Sequence, residues 1–134
     1  MKTRTNRLTA SFVFAAALAF LAGCGKSDRP ELGSVEGTVT LDGRPLPDAL
    51  VLFTPDGPGR TSQGVTDASG RYRVAYLRDI VGANLGRHVV RILTAREETG
   101  AKEILPPRYH AKSTLSATVA AGENTVDFAL DSKK

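Results

Sequence analysis

Short apolar stretches, each closed by a cluster of turn formers, recur from Ser34 to Leu130, and that rhythm constrains the fold of this chain more than any other feature. Val35, Gly37, Val39 and Leu41 fall on one side of an extended segment, while Glu36, Thr38 and Thr40 fall on the other. A period of two marks a strand with one face in a core. Asp42-Gly43 is a pair suited to a tight turn with positive φ, and Pro45 and Pro47 prolong the connection. Ala49-Leu50-Val51-Leu52-Phe53 is apolar at every position, which predicts a strand covered on both faces or deep in a sandwich. A loop rich in turn formers runs from Pro55 to Gly59, and Gly64-Val65-Thr66 opens the next extended piece.

The turn Asp67-Ala68-Ser69-Gly70 then leads to Tyr72, Val74 and Tyr76, which face away from Arg71 and Arg73. Residues 77–86 stay ambiguous, because Leu77, Ile80, Val81 and Leu85 would also suit a single helical turn. From His88 to Thr94 β-branched residues dominate, and Arg96 to Lys102 reads as a solvated loop. Pro106-Pro107 interrupts the chain. Leu115, Ala117 and Val119 alternate, as do Val126, Phe128 and Leu130 after the turn at Ala121-Gly122-Glu123-Asn124, and Lys133 and Lys134 read as a frayed end. About seven short strands, with turns roughly every 8–15 residues and no convincing helix, predict an all-β, antiparallel seven-stranded sandwich of the transthyretin-like or Ig-like kind.

The N-terminus follows a different rule. Lys2, Arg4 and Arg7 precede a stretch from Leu8 to Leu21 that carries no charge, and Leu21-Ala22-Gly23-Cys24 follows with the only cysteine. That is the basic n-region, apolar h-region and small-residue cleavage site of an export signal. A transmembrane helix needs about 18 apolar residues; the uncharged run from Leu8 to Gly25 only just reaches that length and contains Thr9 and Ser11. The tetrapeptide resembles the lipobox of bacterial lipoproteins. The resemblance implies cleavage between Gly23 and Cys24, a diacylglyceryl group on the Cys24 sulfur and a fatty acyl group such as palmitate on the new amine. At about 0.8 kcal/mol per buried methylene, one acyl chain holds marginally and two or more hold stably. The organisation read here is a signal peptide over 1–23, a polar tether over 24–33 and a domain over 34–131. Gly25 stands where an Asp tends to retain lipoproteins in the inner membrane, so the outer membrane is favoured within the cell envelope.

Removing the leader changes what composition implies. It holds three of the 18 basic residues and none of the 14 acidic ones, leaving 15 against 14 on a near-neutral mature chain of 111 residues. Nucleic-acid binding then loses the basic footprint it requires. With one cysteine, neither an intramolecular disulfide nor a thiolate metal site can form.

Catalytic constellations are also missing from the sequence. A hydrolytic zinc site takes three protein ligands and an open position, whereas His88 and His110 are the only histidines and neither lies in a His-Glu-x-x-His cluster. No Gly-x-Ser-x-Gly occurs, and Gly57-Pro58-Gly59 lacks the Gly-Lys-Ser/Thr of a phosphate loop. Asp67 is read as bonding its own turn's amides rather than as holding Ca²⁺ with Ser69, for which only Asp56 and Asp79 are further candidates. The expectation is a chain with no cofactor, no metal and no enzymatic activity. Tyr109 and Arg108 are the candidate ligand contacts; Tyr76 and Arg78 are weaker ones, since Tyr76 continues the core face of Tyr72 and Val74.

Several positions together go beyond a generic sandwich. Gly37-Thr38-Val39-Thr40-Leu41-Asp42-Gly43-Arg44-Pro45-Leu46, then Ala49 to Pro55, then Thr66-Asp67-Ala68-Ser69-Gly70-Arg71-Tyr72 resemble the carboxypeptidase-regulatory-like domain. That resemblance implies a transthyretin-like sandwich that is the non-catalytic partner in carboxypeptidases. Leu105-Pro106-Pro107-Arg108-Tyr109, Ser113-Thr114-Leu115 and Ala121 to Phe128 are similar to small lipoproteins of planctomycete-type bacteria. A ureide hydrolase of similar fold ends in Tyr-Arg-Gly-Ser, where this chain has Asp131-Ser132-Lys133-Lys134. Isopeptide-forming relatives need a buried lysine, and 35–41 and 49–53 contain none. The function expected is a lipid-anchored, non-catalytic envelope module that meets the membrane through Cys24 and contacts an envelope protein or polysaccharide. The alternatives are a periplasmic or surface carrier of a carbohydrate or small ligand, and an accessory subunit of an envelope enzyme.

Overall fold

The structure, a computed structural model, describes residues 29–133; the expected leader, the expected cleavage site at Gly23 and the expected lipid-attachment residue Cys24 lie outside the described residues. Its spine is β1 (Leu32–Leu41), where the expected alternation puts Val35 and Val39 at 0% exposure. The strand takes in Leu32 and Gly33 of the stretch read as tether. Along one edge of β1 lie β8 (Ala83–Asn84), β5 (Arg71–Arg73) and β2 (Arg44–Pro45), all antiparallel to it. Along the other run β11 (Gly122–Thr125) and β12 (Phe128–Leu130), both parallel to it.

The second sheet runs β10-β9-β3-β4-β6-β7 and is antiparallel throughout. Its members are β3 (Leu50–Pro55), β4 (Ser62–Val65), β6 (Ala75–Leu77), β7 (Ile80–Val81), β9 (Gly86–Leu93) and β10 (Ser116–Val119). The two six-stranded sheets pack face to face as an open, all-β sandwich around one apolar core.

The expected architecture holds, with corrections in detail. Among the described residues twelve strands, most of them short, stand where about seven were expected, and two of them are parallel to β1. Part of the surplus comes where an extended run breaks, and part where a turn was expected: Gly122 to Asn124 of the expected turn 121–124 lie in β11, parallel to β1. The chain from Arg71 to Leu77 leaves the first sheet for the second at Val74, so one stretch of alternation supplies both β5 and β6. Between β11 and β12 the ladder along β1 lapses at Val126-Asp127, and the Asp127 carboxylate accepts the Thr38 N–H at 2.8 Å in place of a backbone carbonyl. The stretch 77–85 forms no helical turn; it ends β6 and supplies β7 and β8, with Gly82 at φ 120° redirecting the chain between them. Leu50 and Leu52 are half-buried on the outer face, and only Val51 and Phe53 of β3 reach 0% exposure. A single 3-10 turn, Pro107–Tyr109, stands where only an interruption was expected; proline's fixed φ suits its first position.

Aromatic rings join the sheets. Phe53 of the second sheet lies 6.4 Å from both Tyr72 and Phe128 of the first, and 5.8 Å from His88 of its own. Such offset and tilted pairs contribute beyond the area they bury. The Tyr72 hydroxyl donates to the Val126 carbonyl at 2.5 Å, and burial, followed by the Asp127 charge, raises its pKa. Gly37 makes that approach sterically feasible, because a Cβ there would stand 1.8 Å from the Val126 oxygen.

The Asp67 turn is structural. Asp67 Oδ1 accepts the N–H groups of Ser69 at 2.8 Å and Arg71 at 3.0 Å, and Gly70 sits at φ 74° with its carbonyl bonded to Val39 N–H. Beside it, the buried Thr66 hydroxyl accepts from Ala49 N–H and donates to the Leu46 carbonyl.

Candidate functional site

Arg108 and Tyr109, the two candidate ligand contacts, are brought together by the 3-10 turn at one end of the sandwich. The Arg108 guanidinium lies 4.7 Å from the centroid of the Tyr109 ring, a cation–π contact. The same guanidinium donates to the carbonyls of Asp131, at 2.8 Å, and Lys133. The Tyr109 hydroxyl accepts the Asp131 N–H at 3.0 Å, and its ring is 9% exposed. From the β1–β2 turn, where Asp42 (φ 50°) and Gly43 (φ 80°) reverse the chain, the Asp42 carboxylate accepts the Ser132 N–H at 3.0 Å and its hydroxyl at 2.6 Å. The Ser132 hydroxyl, then its N–H, lowers the Asp42 pKa. Residues 131–133 are thus held by three side chains, and Lys133 is not part of a frayed end.

An open cleft of about 570 Å³ adjoins this clamp, lined by Glu103 to Arg108 and Ser132. Ile104, at 61% exposure, is an exposed apolar side chain on its lining. Its floor is organised by Glu103, which the sequence did not single out. That carboxylate accepts the N–H groups of Thr94, Ala95 and Leu105 and the Thr94 hydroxyl, at 2.9–3.3 Å. Burial alone would raise its pKa; the bonds from Leu105, Thr94 and Ala95 outweigh it and hold the carboxyl below its ordinary value. Only the position of Glu103 just before an apolar Ile-Leu-Pro-Pro run hinted at it. Nothing local signalled Asp42 and Ser132, which are 90 residues apart.

The other singled-out residues lie elsewhere. Tyr76 is half-buried, with the Arg60 guanidinium 5.5 Å from its ring centroid. Arg78 is exposed in the connection between β6 and β7. Asp56 pairs with Arg87 at 3.3 Å, away from the Asp67 turn that packs near the far end of β1.

His88 is wholly buried in β9; its Nδ1 is 3.0 Å from the Gly86 carbonyl and its Nε2 has no protein partner. Burial lowers its pKa, since an imidazolium there would lose its hydration. His110 Nε2 lies 3.1 Å from the Leu105 carbonyl. Among the described residues no three His, Cys, Asp or Glu side chains converge as metal ligands, and no helix is long and apolar enough to cross a membrane.

The described residues therefore define an all-β protein of two sheets packed as an open sandwich, with a clamped C-terminal segment beside an apolar cleft. No protein-family model matches the chain, and none of the curated proteins compared with it matches.

Proposed function

We propose that this protein is a lipid-anchored, non-catalytic module of the cell envelope, a sandwich of the carboxypeptidase-regulatory-like kind held at the membrane by acyl chains on Cys24. The observation that carries the reading is Leu21-Ala22-Gly23-Cys24 directly after an uncharged run with a basic head. Several polar side chains of the kind a site would use instead serve the fold, which adds support: buried Tyr72 and Thr66, half-buried Glu103 and exposed Asp67 each satisfy backbone groups. Gly37 against Val126 and the Asp67–Gly70 turn give the motif residues of that domain type structural work. The module contacts an envelope protein or polysaccharide, and the outer membrane is its favoured destination.

A carrier for a small ligand is the second reading, favoured by the open cleft between Glu103 and Arg108. Its aromatic contacts are weakened by geometry, since Arg108 covers Tyr109 and Arg60 covers Tyr76.

Intact-mass spectrometry of the membrane-fraction protein beside a Cys24→Ala variant tests the proposal. A mature chain that begins at acylated Cys24, and is lost from the membrane fraction in the variant, is the expected result. A soluble, unmodified chain cleaved elsewhere would overturn the anchor and leave the carrier reading in front.

A further inference from the structure

Five large apolar side chains are exposed among the described residues, and three of them, Leu77 (39%), Val81 (50%) and Leu85 (37%), fall within the single stretch 77–85. This is also the stretch whose sequence fits the strand rhythm least. The fold places it where the domain begins. Ala83 and Asn84 of β8 pair with Gly33 and Leu32, the first residues of β1. A methyl group on Gly82 would stand 2.7 Å from the Gly33 carbonyl oxygen and 3.3 Å from Leu32 Cβ. Along the chain Val81 and Leu85 lie directly on either side of residues 82–84, and β7 turns back on β6 so that Leu77 is opposite Ile80. Tyr76, half-buried beside Leu77 and capped by Arg60, adds an amphipathic ring of the kind favoured at membrane interfaces.

We infer that the 77–85 end of the sandwich rests on the bilayer, with Leu77, Val81 and Leu85 entering the headgroup–acyl boundary. This rests on the reading of Cys24 as a lipid anchor. Seven residues, 25–31, separate Cys24 from Leu32, and the eight residue steps between those two span at most roughly 26–29 Å when fully extended. The end of β1 at Leu32 therefore stays within that reach of the membrane, and the exposed apolar side chains of 77–85 are on the end of the sandwich that the anchor brings nearest to lipid.

The opposite end, with Asp42 and the cleft carrying Ile104, lies about 30 Å away, ten residues along β1 at a rise of about 3.3 Å each. Charge around the patch is nearly balanced, Arg29, Arg60, Arg78 and Arg87 against Glu31, Asp56 and Asp79. Apolar burial therefore makes the contact, with attraction to anionic lipid secondary.

The chain contains no tryptophan, so one introduced residue reports one position. Lipidated full-length Val81→Trp, Leu85→Trp and Ile104→Trp would each be reconstituted into phosphatidylethanolamine–phosphatidylglycerol vesicles, with and without brominated acyl chains. Flotation and intact mass would be read on the same samples. All three positions are exposed, so the indole fits without repacking the core. Blue-shifted emission, quenched several-fold more by brominated lipid at positions 81 and 85 than at 104, is the expected result. Equal, water-like emission from protein that floats with acylated Cys24 would overturn the membrane contact and leave the anchor standing. A blue shift without bromine quenching, accompanied by concentration-dependent cross-linking, would assign the patch to a second copy and overturn it too. Protein that neither floats nor carries an acyl mass would overturn the anchor and the contact together.

Discussion

Replacing Gly37 by Ala adds one methyl group at the point where the two edges of the first sheet converge. The new Cβ would stand 1.8 Å from the Val126 carbonyl oxygen and 2.6 Å from its carbon, both of them backbone atoms. Relief to an ordinary C···O separation of about 3.3 Å requires the Val126 peptide to retreat by about 1.5 Å. That retreat breaks the Tyr72 hydroxyl bond to Val126, at 2.5 Å, and the Val126 N–H bond to Glu36, at 2.8 Å. Stranding the buried tyrosine hydroxyl and its acceptor costs about 1–3 kcal/mol, and the backbone bond about 1 kcal/mol. Displacement of the packed neighbours adds about 1–3 kcal/mol.

The sum of about 3–7 kcal/mol is a large share of the about 5–15 kcal/mol by which a domain of this size is stable. At about 4–8 °C per kcal/mol, the expected fall in Tm is at least about 12 °C. Gly57→Ala is the matched control, because no heavy atom lies within 4 Å of its Cβ position and its φ is not positive. It is expected to change stability by less than about 1 kcal/mol, in the stabilising direction. Urea unfolding followed by far-UV circular dichroism, with thermal melts alongside, measures both. Gly37→Ala within about 1 kcal/mol of the parent, or Gly57→Ala equally damaging, would refute the close approach of Val126 to β1.

Three further outcomes are expected. Glu103 has a lowered folded pKa, so its contribution is present above the unfolded carboxylate pKa and lost as pH falls through the folded value. Glu103→Gln should cost about 1.5–3 kcal/mol at neutral pH and flatten that part of the acid-unfolding profile; a profile unchanged from the parent would count against its hydrogen bonds. For His88 the folded pKa is also lowered, so the unfolded chain takes up a proton first and stability falls as pH drops through about 6.5. His88→Phe should remove that loss between neutral and mildly acidic pH in denaturant titrations, and persistence of the loss would place its origin elsewhere. Arg108→Ala frees the carbonyls of Asp131 and Lys133. Hydrogen exchange at residues 131–133 should then accelerate with a stability cost of about 1–2 kcal/mol, whereas unchanged protection would show that Asp42 and Tyr109 hold the segment without it.

The local rules in the chain were readable where the neighbours that matter are close in sequence. Alternation through Val35, Val39 and Leu41 located β1, and Asp67 to Tyr72 spelled out a turn whose hydrogen bonds span two to four residues. The same logic failed for Leu50 and Leu52, because an apolar residue on an outward face looks no different in sequence from one in the core. It also failed at 77–85, where three pieces of two or three residues are too short to show any period. Arg108 and Tyr109 were visible as a polar-aromatic pair, but what they hold was not.

What the sequence determined by itself is the class of fold, the core face of β1 and the central turn, since each is written in residues a few positions apart. The tertiary structure alone decided that the chain changes sheets at Val74, that β11 and β12 run parallel to β1, that Asp42 meets Ser132 across 90 residues, and that Ala83 and Asn84 pair with the start of β1. The physical reason is the same in each case. A strand's period records which of its faces is buried, whereas its partners are chosen by how all the strands together bury apolar surface and satisfy their backbone groups.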